Sequence, residues 1–110
     1  MAGNFTFGIE EEYFLVDAQT KSVALDMPQA FFEAARKATG GRVAGEFLQS
    51  QIEVASPVFS HATEALAVMR RYRRELADLA GEHGLTLLAT STHPLGDWGC
   101  LLYTSDAADE

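Results

Sequence analysis

Three consecutive carboxylates, Glu10, Glu11 and Glu12, interrupt an otherwise apolar, β-prone run from Phe7 to Val16. Strand alternation sends Glu10 and Glu12 to one face and Ile9, Glu11, Tyr13 and Leu15 to the other. Two carboxylates projecting side by side are costly unless a cation sits between them. A hard divalent metal, which prefers oxygen ligands, is the natural candidate. A second stretch, Glu46-Phe47-Leu48-Gln49-Ser50-Gln51-Ile52-Glu53, puts Gln49, Gln51 and Glu53 on one strand face and Ile52 and Val54 on the other. If it pairs near the first strand, Glu53 joins Glu10 and Glu12. Three such carboxylates could hold Mg²⁺, which keeps several waters and takes one or two carboxylates plus substrate phosphates. Ions held in this way neutralise charge during phosphoryl transfer. Glu46 has the wrong parity to join Glu53 unless a bulge intervenes. Thr92-His93-Pro94, at a strand end, is a third place for a polar ligand contact. Plainer readings stand beside each: a solvated sheet face for the carboxylates and Gln51, and an ordinary loop histidine for His93.

The elements that must position these residues follow from the pattern. Residues 5–16 read as a long strand, 17–21 as a polar turn and 22–25 as a short return strand. Asp26 can cap a helix that begins near Pro28 and runs to about Ala38, where Gly40-Gly41 ends it. A strand pair follows over about 42–48 and 51–55, closed by Pro57. Ser60 opens a long amphipathic helix to about His83. Leu66, Met69, Tyr72, Leu76 and Leu79 recur at helical spacing and should face the core. Arg70, Arg71, Arg73 and Arg74 straddle Glu75 and Asp78 and read as a salt-bridged surface. Residues 85–89 form a further core strand, followed by a loop from Thr90 to Pro94. The order β-β-α-β-β-α-β predicts an α+β fold, with a mostly antiparallel sheet and helices packed on one face.

Composition narrows the function classes. Of the 110 residues, 47% are apolar, as in a globular chain. The formal charge is −8, and three of the acids (Asp106, Asp109, Glu110) lie beyond Gly99, leaving −5 over residues 1–99. That balance argues against nonspecific nucleic-acid binding. Residues 1–99 contain no cysteine, so no disulfide framework or zinc site is expected there. No apolar run approaches the roughly 18 residues of a membrane span, and no secretory signal is visible; a cytoplasmic location is the expectation. Residues 100–110, Cys100-Leu101-Leu102-Tyr103-Thr104-Ser105-Asp106-Ala107-Ala108-Asp109-Glu110, resemble the translation of a transposon-type sequencing-library adapter. The expectation is that residues 1–99 are protein whose natural continuation is missing, and that 100–110 stand outside the fold.

The Phe7–Asp17 run, the Glu46–Glu53 run and Thr92-His93-Pro94, in that order and spacing, resemble the opening of the glutamate–cysteine ligase type 2 family, in particular its bacterial branch of carboxylate–amine ligases. The resemblance covers essentially all of residues 5–98. It implies the N-terminal part of a glutamine-synthetase-like fold, in which an antiparallel sheet floors the active site. It also implies an ATP-dependent ligase that activates a carboxylate as an acyl phosphate and joins it to an amine. In glutamate–cysteine ligases these substrates are glutamate and cysteine. The family's Mg²⁺-binding glutamates fall on Glu10, Glu12 and Glu53. Gln51, Glu46 and His93 are implied as substrate-pocket residues, and no catalytic residue is assigned. The implied partners are small molecules, with neither nucleic acid nor membrane, and the complete protein could be a homo-oligomer. On this reading the 110-residue chain alone is inactive. Two alternatives stay open: a related ligase with another acid and amine, and a noncatalytic binding or interaction domain.

Overall fold

A computed structural model describes residues 5–24, 26–45 and 50–90. Strand β1 (Glu10–Asp17) is followed by helix α1 (Gln29–Ala38), β2 (Val43–Gly45), β3 (Gln51–Ala55), helix α2 (Ala62–Glu82) and β4 (Leu85–Leu88). The strands form one sheet in the order β2-β3-β1-β4, and every neighbouring pair is antiparallel. The expected α+β class therefore holds.

Strand β1 lies inside the sheet, and its C-terminal half, Tyr13, Phe14, Leu15 and Val16, is buried throughout. Its two halves have different neighbours. Glu10 to Phe14 pair with β3, and Phe14 to Asp17 pair with β4. Beyond Leu88, β4 turns away through a hydrogen bond from the Thr90 amide to the Leu88 carbonyl (3.0 Å).

The sheet buries one face against both helices. Tyr13, Leu15, Ile52 and Val54 meet Phe31 and Ala35 of α1 and Met69, Tyr72, Leu76 and Ala80 of α2. Burying a large apolar side chain stabilises by roughly 1.5–3 kcal/mol, so this layer holds the fold together. Helix α1 ends in a Schellman motif: the Gly41 amide donates to the Arg36 carbonyl (2.7 Å) and the Gly40 amide to that of Lys37 (3.3 Å). Both glycines have positive φ, +63° and +85°, which residues with a Cβ adopt at a cost.

Several expectations need correction. Asp26 does not cap α1; Pro28 occupies the N-cap position and no side chain caps the helix. Helix α2 starts after His61, also without a side-chain cap. Leu66 does not face the core and is 52% exposed, because the buried stripe runs through Ala65, Met69, Tyr72, Leu76 and Ala80, and one residue along a helix turns about 100° away. Leu79 is only partly buried. The return strand shrinks to an isolated bridge between Val16 and Val23, with Leu25 outside the described residues. Strand β2 is described only over Val43–Gly45, so the expected continuation to Leu48 lies outside them. The first strand begins at Glu10 rather than residue 5 because its partner bulges. Ile9 pairs with Ser56 through the Ser56 amide (2.9 Å), whereas Phe7 pairs with Phe59. The partner segment thus carries one extra residue at Pro57-Val58, and a proline interrupts a ladder in this way.

Candidate functional site

The β1–β3 register decides which carboxylates meet. Glu12 lies directly opposite Glu53, Glu10 opposite Ala55, and Phe14 opposite Gln51. The Leu15 amide bonds the Ser50 carbonyl (2.8 Å) and the Ser56 amide bonds the Ile9 carbonyl (2.9 Å). The odd-numbered residues of β1 therefore make the hydrogen-bonded pairs. Glu12 and Glu53 form a non-hydrogen-bonded pair, the kind in which side chains stand closest, with Cα atoms about 4.5 Å apart. Glu10 is two residues along the same strand, on the same face. Sequence parity and structure agree that Glu10, Glu12 and Glu53 share one sheet surface, opposite the helices.

The carboxylate-bearing end of that surface is accessible, whereas Phe14, Val16 and Gln51 on the same face are buried. Glu10 and Glu12 are exposed and Glu53 is partly exposed. Ala44 of β2 lies opposite Glu53, and Ala55 opposite Glu10; both are small. An open depression of about 430 Å³ is lined by Glu10, Glu11, Glu12, Tyr13, Ala89 and Thr90. It occupies the edge of β1 that β4 leaves when it turns away. Among the described residues, Glu10 and Glu12 make no ion pair or hydrogen bond through their side chains.

Glu11 has the opposite environment. It points to the helix layer, as its parity requires, and meets Arg73 of α2. The Arg73 Nε donates to both carboxylate oxygens (3.0 and 3.1 Å), and Nη2 also bonds Oε2. The Tyr13 hydroxyl donates to Oε1 (2.7 Å). The Arg73 hydrogen bond holds the Glu11 carboxyl below the usual carboxylate range, against an opposing effect of burial. Burial, reinforced by the bond to Glu11, pushes the Tyr13 phenol up to about 12. Arg73 is thus not part of a purely local surface network. Arg71, 3.9 Å from Glu75, fits that expectation better.

The metal and pocket expectations divide accordingly. Glu10, Glu12 and Glu53 come together on one face. Among the described residues no group of three or more acidic, histidine or cysteine side chains is arranged to hold a metal ion, so the three carboxylates share a face without converging on one point. One or two solvent-open carboxylates suit Mg²⁺, which retains waters and takes further ligands from substrate phosphates. Gln51 lies on the same face but is buried, 6% exposed. Glu46 and His93 lie outside the described residues. Thr90 at the rim of the depression, and the Glu11–Arg73–Tyr13 group behind it, were not legible as site residues. The usable signal was a carboxylate of core-facing parity, which demands a cation, near a helix rich in arginine.

Comparison with known proteins follows the same residues. Residues 6–102 match glutamate–cysteine ligase family 2. A Bradyrhizobium sp. (strain BTAi1) protein named "Putative glutamate–cysteine ligase 2" is 51% identical over 94 residues, covering 86% of this chain and 23% of that protein. Proteins of the same name from Bradyrhizobium diazoefficiens (43% over 97 residues; 88% of this chain, 23% of the relative) and Pseudomonas paraeruginosa (47% over 92 residues; 84% and 24%) are similar. The chain spans about a quarter of the length of the curated relatives it matches.

Proposed function

Because the chain belongs to glutamate–cysteine ligase family 2, we propose that it contributes part of the active-site sheet of a longer, ATP-dependent carboxylate–amine ligase that forms γ-glutamylcysteine. In this reading a glutamate side-chain carboxylate is activated as an acyl phosphate, and the cysteine amine then displaces phosphate. The observation that carries the reading is the register that sets Glu12 opposite Glu53 with Glu10 beside them. Glu10, Glu12 and Glu53 would be the oxygen donors for Mg²⁺, with the Thr90 hydroxyl at the rim. A bound divalent ion would reduce the repulsion between an anionic carboxylate and an anionic phosphate. The chain's own contribution is a sheet that sets the donors on one face, small residues at Ala44 and Ala55 that leave room above them, and an edge of β1 that no described strand covers. Gln51, Glu46 and His93 are proposed substrate contacts.

Among the described residues no helix is long and apolar enough to cross a membrane. A cytoplasmic enzyme acting on small molecules, homo-oligomeric when complete, is part of the same proposal. The test is to express the complete reading frame and follow product by mass spectrometry with ATP, Mg²⁺, glutamate and cysteine. ATP-dependent γ-glutamylcysteine supports the reading. ATP turnover only with a different acid or amine would keep the ligase and change the substrates. Absence of any Mg²⁺-dependent nucleotide binding would leave a noncatalytic domain instead.

A further inference from the structure

Helix α2 carries a surface that the candidate site does not use. Four of the chain's eight lysines and arginines, Arg70, Arg71, Arg73 and Arg74, crowd onto it, although the net charge is −8. Arg71 lies 3.9 Å from Glu75, and Arg73 is held by Glu11. Arg70 and Arg74, one helical turn apart and both exposed, make no ion pair with a described residue. Beside them, the first half of α2 and the start of β1 leave a groove of about 330 Å³. Ile9, Ala65, Leu66 and Met69 give it an apolar lining, and Arg70 and Arg73 stand with Glu11 along it. Ala65 and Met69 are buried, whereas Leu66 is 52% exposed. Covering Leu66 would remove apolar surface from water, and only a segment laid into the groove would do so while meeting the arginines.

We infer that this groove seats an acidic segment of the complete protein from outside the present chain, one that lays an aliphatic side chain against Leu66 and offers a carboxylate to Arg70 or Arg74. The inference rests on the reading of this chain as part of a longer ligase. About three quarters of the length of each matched relative lies outside the matched region, so much polypeptide remains to pack against these elements. Charge selects the chemistry of the segment. Arg73 is already neutralised by Glu11, which leaves Arg70 and Arg74 as the cations for a partner, and a guanidinium pairs with a carboxylate through two parallel hydrogen bonds. A nucleic acid would meet the same arginines but be repelled by the net negative charge of the chain. Size selects the source. A free partner typically buries about 800 Å² on each side and loses its translational freedom on binding. Four apolar side chains and two free arginines are a small patch against that cost. A segment of the same polypeptide is held nearby at high effective concentration, and a patch of this size is enough to dock it.

The experiment is photo-cross-linking in the complete protein, with Leu66→p-benzoylphenylalanine as the probe and mass spectrometry to map the joined peptides. The expected product is a cross-link within one chain, to a peptide beyond residues 1–99 that carries an aspartate or glutamate close to the point of attachment. Adding Arg70→Glu and Arg74→Glu should lower its yield about fivefold, as expected for loss of exposed ion pairs. If the Leu66 variant does not fold, the same probe at Arg70, with Arg74→Glu as the charge reversal, carries the test. Cross-links only between two copies make the groove a contact between subunits and overturn the inference. So do cross-links confined to residues 1–99, no cross-link at all, or a yield that charge reversal leaves unchanged. γ-Glutamylcysteine synthesis by a protein that shows none of the expected cross-link refutes the docking alone. The expected cross-link in a protein without ligase activity refutes the ligase reading and leaves the docking standing.

Discussion

Neutralising Glu12 should make the metal-free protein more stable. Glu12 and Glu53 face each other as a non-hydrogen-bonded pair, and like charges placed directly opposite destabilise a sheet. Their Cα atoms are about 4.5 Å apart in such a pair, and the longer side chains can splay their carboxylates to about 6 Å. Two unit charges at about 6 Å repel by about 0.7 kcal/mol at the dielectric constant of water. The exposure of Glu12 makes water the appropriate limit. Glu12→Gln preserves shape and removes that repulsion. A gain of about 0.7 kcal/mol corresponds to a rise in Tm of about 3–5 °C for a domain of this size. The assay is a circular dichroism melt of both proteins at pH 7 and low salt, repeated in 1 M NaCl, where the screening length is about 3 Å and the difference should largely vanish. Millimolar MgCl₂ should then raise the Tm of the unmodified chain more than that of the variant, because a ligand stabilises the state it binds. A variant that melts lower than its parent at low salt, or an equal gain in 1 M NaCl, refutes the reasoning.

Other consequences are equally direct. Glu11 is held below its ordinary value of 4.5 by Arg73, so the stability this pair contributes is present above about pH 4.5 and lost as pH falls through the lower folded value; the Tm gap between the unmodified chain and Glu11→Gln should therefore shrink in acid. Burial and the bond to Glu11 push the Tyr13 phenol up to about 12, so in a spectrophotometric titration the absorbance change that Tyr13→Phe removes should fall near that pH. Gly41→Ala, at a φ of +85°, should cost about 1–2 kcal/mol, read as a fall in Tm.

The shared face of the candidate residues was more legible than what supports it. Alternation alone placed Glu10, Glu12, Gln51 and Glu53 on faces that the structure keeps, because a strand has period 2 whatever it packs against. The register that sets Glu12 opposite Glu53 was legible only as a condition, since pairing depends on how two segments about forty residues apart in the chain align. Arg73 escaped for a related reason. Its partner lies 62 residues away, whereas the charge pattern of a helix advertises only neighbours three and four residues off. Leu66 misled because it adjoins the true stripe: Ala65 is small enough to be buried where α2 approaches the sheet, and the larger Leu66 is turned outward. Asp26 had the right chemistry for a cap but stands two residues before Pro28, which takes the N-cap position itself.

Glu10, Glu12 and Glu53 are proposed to act together as a cation-binding face of a ligase. The most direct measurement is the Mg²⁺ dependence of ATP-driven turnover in the complete protein, compared with Glu10→Gln, Glu12→Gln and Glu53→Gln. Each variant should fold with a Tm near or above that of the parent but lose most of its activity at limiting Mg²⁺, with partial recovery as Mg²⁺ is raised. Near-normal turnover at limiting Mg²⁺ in Glu10→Gln or Glu12→Gln would contradict it.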